Sequence, residues 1–235
     1  MIRNFFSFKF LSLSNKLFGN LSAIMLSLLI VGIIYALVIS PPDHVQGDSV
    51  RIMYIHVPSS FIGLGCFGLI GLLSVCNLIF RIIFLSLIAK SLAAIGLIFT
   101  VISILTGSMW GKPTWGVWWA WDARLTSMLI LMFFYIIFIF SYKFISNPER
   151  SIKVCTSISV LGLVNLIIIK YSVDWWPTLH QTSSINVGKE TTVHFSMLIP
   201  LGLMLFGLFM YAAVIFLMKY RIETIRLKRK GLKKL

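Results

Sequence analysis

Charged residues are scarce in this sequence, and acidic residues are the scarcest of them. Lys, Arg, Asp and Glu together make up 12% of the 235 residues, against about 25% in soluble globular domains. Hydrophobic residues make up 58%, and the mean hydropathy is +0.94. A surface with so little charge would leave many apolar side chains facing water, so the composition excludes a soluble globular domain.

Cysteine is also rare, and its placement excludes one class of redox chemistry. The chain has three cysteines, Cys66, Cys76 and Cys155, each inside an apolar run, and no CxxC pair. Thiol exchange requires an accessible thiolate, which a buried thiol rarely provides. We therefore do not expect this chain to carry out disulfide chemistry.

Six long apolar runs dominate what remains: 21–39, 59–80, 91–109, 125–142, 152–169 and 195–218. A helix needs roughly 20 residues to cross about 30 Å of hydrocarbon, and a barrel would instead show short alternating segments. The runs predict an all-α, polytopic membrane protein with six transmembrane helices in a single domain, 1–235. No small-residue cleavage site accompanies the first run, so we expect it to be retained as a span.

The positive charge lies almost entirely on one side of this predicted topology. With the N-terminus inside, 16 of the 21 Lys and Arg residues face inward, eight of them in the basic tail 219–235. The outer segments carry five basic and five acidic residues, which cancel. The positive-inside rule then places both termini on the cytoplasmic or matrix side. The tail suits anionic lipid headgroups of the bilayer, and we predict no nucleic-acid partner.

The three predicted outer segments, 40–58, 110–124 and 170–194, contain all four histidines and all seven tryptophans. Since proline lacks a backbone donor, we expect Pro113 to end the third span and a tryptophan-rich helix to follow it in the membrane interface. An ordinary aromatic belt is one interpretation. Five tryptophans within 12 residues favour a platform for a flat aromatic ligand: Trp110, Trp115, Trp118, Trp119 and Trp121. Trp175 and Trp176 would form a second wall.

Two histidines stand beside aromatic residues in separate outer segments. His56 lies in "RIMYIHVPSS" and His180 in "DWWPTLHQ", so the two imidazoles could bind one metal from opposite sides. A zinc site would want four ligands, often with cysteine or carboxylate help. Two imidazoles beside an apolar platform suit a planar iron macrocycle better. We expect His44 and His194, which have no aromatic neighbours of this kind, to be solvated.

Two arginines, Arg51 and Arg124, flank the same predicted site. A haem carries two propionates, which would give both cations a partner. An unpaired arginine near hydrocarbon is costly, so each should have one. For Arg124 the sequence leaves two partners equally open, a propionate or the protein itself through Asp122 or a helix carboxyl end.

The tryptophan and histidine segments together resemble a known family. "WGKPTWGVWWAWDARLTS" is similar to the WWD signature of haem-handling membrane proteins. "RIMYIHVPS" and "VDWWPTLHQ" resemble the histidine segments of one branch, the haem exporter protein C (CcmC) family of cytochrome c-type biogenesis. The match runs in order from about residue 51 to 200. Six spans with both termini inside agree with that family.

This resemblance implies a binding and transfer function, not an enzyme. It implies that His56 and His180 are the axial ligands of haem b (iron protoporphyrin IX), that Trp110 to Asp122 face the haem, and that Arg51 and Arg124 serve the site. The implied function is to hand haem to a periplasmic haem chaperone during cytochrome c maturation. The implied partners are ABC transporter subunits and a small single-span membrane subunit, in a bacterial inner membrane or, alternatively, a mitochondrial one.

Two other function classes stay open at this point. A haem–thioether ligase or a quinone-linked oxidoreductase subunit would be an enzyme of the same superfamily, but the ligase role belongs to larger WWD proteins with more spans. A channel or pump would need polar groups at mid-depth in the membrane. Apart from Lys90 at the membrane edge, the six runs are nearly free of charge.

Overall fold

The computed structural model describes residues 2–180 and 193–232 of the chain, and six long α-helices account for most of them. They are α1 (Ile2–Ile34), α2 (Met53–Phe80), α3 (Ile83–Trp115), α4 (Ala123–Phe144), α5 (Pro148–Trp175) and α6 (Phe195–Leu232). Each contains a stretch long and apolar enough to span a membrane, which confirms the six predicted spans. The side of the membrane on which the termini lie, and the single-domain organisation, remain predictions. Part of the third outer segment, 181–192, and the last three residues of the basic tail lie outside the described residues.

Helices α2 to α5 form the packed centre of the bundle. Half of the most apolar window of α3 is buried, against 11% for α1, which packs mainly against α6. Tyr135 on α4 is fully buried; its ring meets Phe67 of α2 edge-on at 4.8 Å, and its hydroxyl donates to the Gly63 carbonyl at 2.6 Å. These buried contacts set the distance between the helices, and so between the helix ends that the outer segments connect.

The first outer connection is a short, well-defined turn. After α1 the chain makes one π-helical turn (Tyr35–Ile39), and a 3₁₀ turn (Asp48–Ile52) precedes α2. Between them Asp43 Oδ1 accepts the backbone N–H groups of Val45 and Gln46 at 2.9 and 2.8 Å. These donors hold the pKa of Asp43 below its usual value, because they favour the ionised carboxylate. The turn therefore presents the Gln46 side chain in a fixed direction.

The end of α3 corrects the sequence prediction. The helix continues through Pro113 to Trp115 and ends at Gly116, whose φ of 78° is left-handed and whose N–H donates to the Lys112 carbonyl at 3.0 Å. A proline this near the carboxyl end removes only one backbone donor from the helix, so it does not stop it; the glycine does.

The predicted interfacial tryptophan helix is therefore wrong. Residues 116–122 are not helical. Asp122 then begins α4 as its N-cap, with Oδ1 accepting the Leu125 N–H at 2.8 Å. Too few residues separate the glycine cap from this N-cap to offset the cost of nucleating another helix.

At the opposite end of the bundle, one ion pair joins α3 to α6 and a second lies within α6. Glu223 lies 2.7 Å from Lys90 Nζ of α3 and 2.7 Å from a guanidinium nitrogen of Arg226. Lys90, the charged residue at the edge of a predicted span, therefore has an acidic partner.

The packing of α3 on α4 can be tested with a matched pair of glycines. A Cβ on Gly96 would overlap the Tyr135 hydroxyl and ring, whereas one on Gly65 would meet nothing within 4 Å. We expect Gly96→Ala to destabilise the protein by about 1–3 kcal/mol through overpacking. Gly65→Ala should be neutral or stabilising, because alanine is the better helix former by up to about 1 kcal/mol. Thermal unfolding in detergent measures both, and equal midpoints would contradict the packing described here.

Candidate functional site

The outer end of α3 is the centre of the site, and small residues there allow a histidine to lie against the helix. Along this end, glycines and hydroxyl residues alternate with Trp110 and Trp115. His56, near the start of α2, packs against Gly107: a Cβ on that glycine would lie 2.9 Å from His56 Cε1. Since real Cβ contacts are not that short, only glycine lets the imidazole take this position.

Hydrogen bonds to α3 fix the tautomer of His56. Its Nδ1 lies 3.0 Å from the Ser103 carbonyl oxygen and 3.2 Å from Thr106 Oγ1. A carbonyl can only accept, and the Thr106 hydroxyl already donates to the Ile102 carbonyl at 2.6 Å. Nδ1 must therefore carry the proton, which leaves the Nε2 lone pair of the neutral ring free. Histidine metal ligands are oriented in the same way, by an N–H bond from the other ring nitrogen.

Trp110 connects this histidine to the first outer turn. Its ring meets the His56 imidazole edge-on at 5.8 Å, and its Nε1–H donates to Gln46 Oε1 at 2.7 Å. The turn that Asp43 stabilises is thereby attached to α3 beside His56.

His180 approaches the same helix end from the third outer segment. Its half-buried ring lies 6.0 Å from that of Trp115, at an angle of 57°. His180 and Arg124 both lie close enough to His56 to act on it electrostatically. The structure thus gathers both predicted histidines around the last turns of α3, one beside Trp110 and the other beside Trp115.

The Asp122 carboxylate is engaged within the protein at both oxygens. Oδ1 caps α4, and Oδ2 accepts the Thr178 hydroxyl at 2.6 Å. The Thr178 oxygen in turn accepts the backbone N–H of His180 at 3.0 Å. Asp122 therefore links the tryptophan segment to the segment that carries His180.

The two predicted arginines have different surroundings. Arg51 pairs with Asp48 at 3.0 Å and donates to the Leu37 carbonyl in the π-helical turn after α1, so its positive charge already has partners within the protein. Arg124 is half-buried and forms no ion pair or hydrogen bond with the residues that the structure describes; Asp122 and Asp174 act on it only at longer range. Of the two, Arg124 is the cation available to a ligand.

Four of the remaining tryptophans are exposed: Trp118, Trp121, Trp175 and Trp176 are 59%, 78%, 55% and 47% exposed. Trp119 is half-buried against Trp121, and its Nε1–H is buried without an acceptor in the described part of the chain. The tryptophans therefore differ in their surroundings: Trp110 and Trp115 contact the histidines, Trp119 is half-buried, and the other four are exposed.

The other outer histidines lie elsewhere. His44 is exposed, and His194 is exposed at the start of α6, where its Nδ1 is 2.8 Å from the Ser196 hydroxyl. Across residues 2–180 and 193–232, no three His, Cys, Asp or Glu side chains are grouped as a metal site. Within the described residues, the imidazoles of His56 and His180 lie beside Trp110 and Trp115 at this end of α3.

Sequence reasoning missed several residues that shape this site: Gln46, Ser103, Thr106, Gly107 and Thr178. The three on α3 left a signal, because small and hydroxyl residues recur three or four positions apart along "SILTGSMWG". Gln46 contacts Trp110, which is 64 positions away along the chain, and Thr178 contacts Asp122, which is 56 positions away. No local sequence pattern reveals contacts over such separations.

Known proteins similar to this chain are named for one process. The family model described as CcmC, "Heme exporter protein C", matches residues 4–234. "Heme exporter protein C" of Haemophilus influenzae is 38% identical over 212 residues, which is 90% of this chain and 85% of that protein. The protein of that name from Bradyrhizobium diazoefficiens is 36% identical over 95% of this chain and 85% of its own length. A ccmC-like mitochondrial protein of cytochrome c biosynthesis from Marchantia polymorpha is 41% identical over 78% of this chain and 77% of its own length.

The assigned tautomer of His56 is directly measurable. In ligand-free protein labelled with ¹⁵N-histidine, solid-state NMR should show a neutral His56 protonated at Nδ1. Gly107→Ala should shift that signal, because the added Cβ pushes the ring away from the Ser103 carbonyl. Gly65→Ala, which adds a methyl group in open space, serves as the control. An Nε2-protonated ring in the unmodified protein, or a signal unchanged by Gly107→Ala, would show that the hydrogen-bond assignment is wrong.

Proposed function

Because the chain belongs to the haem exporter protein C family, we propose that it binds haem at the outer face of the membrane and hands it to a periplasmic haem chaperone during cytochrome c maturation. One observation supports this proposal: His56 and His180 come from different predicted outer segments and lie beside Trp110 and Trp115 of α3, and the Nδ1–H bond of His56 to Ser103 makes its Nε2 lone pair available to a ligand.

The residues present fit a haem. Iron in a porphyrin has four equatorial nitrogens of its own and needs only axial ligands from the protein, such as two imidazoles. The propionates require cations or N–H donors, and Arg124 and the Nε1–H of Trp119 have no hydrogen-bond partner among residues 2–180 and 193–232. The macrocycle itself is apolar and aromatic, which suits the neighbouring indole rings. We therefore assign His56 and His180 as the ligands of haem b.

The two histidines are held differently, and this difference suits transfer. His56 belongs to α2, and its ring is hydrogen-bonded to α3, so two helices fix it. His180 lies beyond the end of α5 and is positioned through Thr178. Release of haem requires at least one ligand to leave, and His180 can move without displacing a helix. In our proposal His180 is the first ligand to leave the iron, and His56 holds the haem until that step.

The interior of the bundle favours transfer at the surface over passage through the spans. Between Lys90 and Lys112, α3 carries no charged residue, and Lys90 is paired with Glu223. Movement of haem propionates along such a surface would expose charge to hydrocarbon. We propose that export energy comes from ABC transporter subunits and that a small single-span membrane subunit completes the complex. We place the complex in a bacterial inner membrane, with a mitochondrial one as the alternative.

Spectra of the purified, haem-loaded protein test the ligand assignment. We expect a low-spin spectrum with two imidazole ligands, because two histidines leave the iron no open position. His56→Ala and His180→Ala should each convert it to a high-spin spectrum or lose the haem. His44→Ala, which replaces an exposed histidine that is not assigned as a ligand, is the matched control and should leave the spectrum unchanged. A low-spin spectrum that survives the double substitution of His56 and His180 would contradict the proposed function.

A further inference from the structure

We propose that Thr178 is a positioning residue for His180, and that the essential contribution of Asp122 to haem binding is to hold Thr178. This inference rests on the proposed function, since it explains how one of the two assigned ligands is oriented. In this proposal the Asp122 carboxylate hydrogen-bonds to the protein and does not itself contact the haem.

Three hydrogen bonds form a continuous connection from α4 to His180. The Leu125 N–H donates to Asp122 Oδ1 at 2.8 Å, which anchors the carboxylate to the first turn of α4. The Thr178 hydroxyl donates to Asp122 Oδ2 at 2.6 Å, and its oxygen accepts the His180 N–H at 3.0 Å. Each group has the correct donor or acceptor for its place, because a hydroxyl has one proton to give and two lone pairs.

Such a connection matters for His180 because the residue lies in irregular backbone beyond the end of a helix. Helix α5 ends at Trp175, and the Trp176 N–H makes the last capping bond, to the Ser172 carbonyl at 3.0 Å. Pro177 then fixes one backbone dihedral. A metal ligand must be held to within about 0.5 Å of its productive position, which irregular backbone does not guarantee by itself. The bond between Thr178 and Asp122 ties this segment to α4 two residues before the imidazole.

Charge also argues against direct contact between Asp122 and the cargo. Haem propionates are anionic at neutral pH, and a second carboxylate beside them would repel them. Both Asp122 oxygens are already hydrogen-bonded within the protein. With its oxygens bonded to the Leu125 N–H and the Thr178 hydroxyl, the carboxylate would orient the ligand without contacting the haem.

The test compares Thr178→Val with Thr178→Ser in the full-length protein. Valine has nearly the shape of threonine but neither donates nor accepts, so it breaks both bonds of the hydroxyl; serine keeps both. We expect Thr178→Val to bind haem about 10-fold more weakly, as substitutions of residues that orient a metal ligand commonly do, and to show a largely high-spin spectrum. Millimolar imidazole should restore the low-spin spectrum by replacing His180. Thr178→Ser should match the unmodified protein.

A second readout needs no haem. Amide hydrogen exchange in the haem-free protein should be faster in the peptide that contains His180 for Thr178→Val than for Thr178→Ser, because the His180 N–H loses its acceptor. Thr178→Ala, which removes the hydroxyl with less bulk, replaces valine if that variant does not fold.

The outcomes separate this inference from the proposed function. If the hydroxyl-free variant matches Thr178→Ser in spectrum and exchange while His180→Ala changes the spectrum, Thr178 has no positioning role and the ligand assignment stands. If His180→Ala itself leaves the low-spin spectrum intact, the ligand assignment fails, and the inference fails with it.

Discussion

The hydrogen bond from His56 Nδ1–H to the Ser103 carbonyl is the interaction on which the rest of the site depends. It sets the ring orientation, leaves the Nε2 lone pair free and requires Gly107 to have no side chain. The acceptor belongs to the helix backbone, so the bond is as rigid as α3 itself. The buried contacts of Tyr135 with α2 and α3 hold these helices together below the site. The position of the His56 imidazole thus depends on the packing of α2, α3 and α4 deeper in the bundle.

Hydrogen bonds connect the outer segments to the neighbouring ends of α3 and α4. Gln46 binds the indole N–H of Trp110 and brings in the first segment, and Asp122 binds Thr178 and brings in the third. Each histidine thereby gains an aromatic neighbour on α3 and a polar attachment. The result has one histidine on a helix and one beyond a helix end, which suits the proposed binding and release of haem.

The sequence predicted the six spans because uncharged runs of this length have no other stable place. The helices extend past those runs, as α3 does from Ile83 to Trp115, since helical backbone continues into the interface. The interfacial tryptophan helix was predicted wrongly because proline was given more weight than the glycine three residues later. His56 and His180 could be selected because polar rings beside clustered tryptophans are rare in so apolar a chain. The tautomer of His56 and the Asp122–Thr178 bond could not, because they arise from contacts between distant segments.

The central claim is that two imidazoles from separate outer segments share one iron at the outer end of α3. A cryo-electron microscopy map of the haem-loaded protein tests it most directly. The account predicts a planar density whose metal lies between His56 Nε2 and the His180 ring, with the propionates toward Arg124. A metal bound to only one of these histidines, or a haem seated away from Trp110 and Trp115, would contradict it.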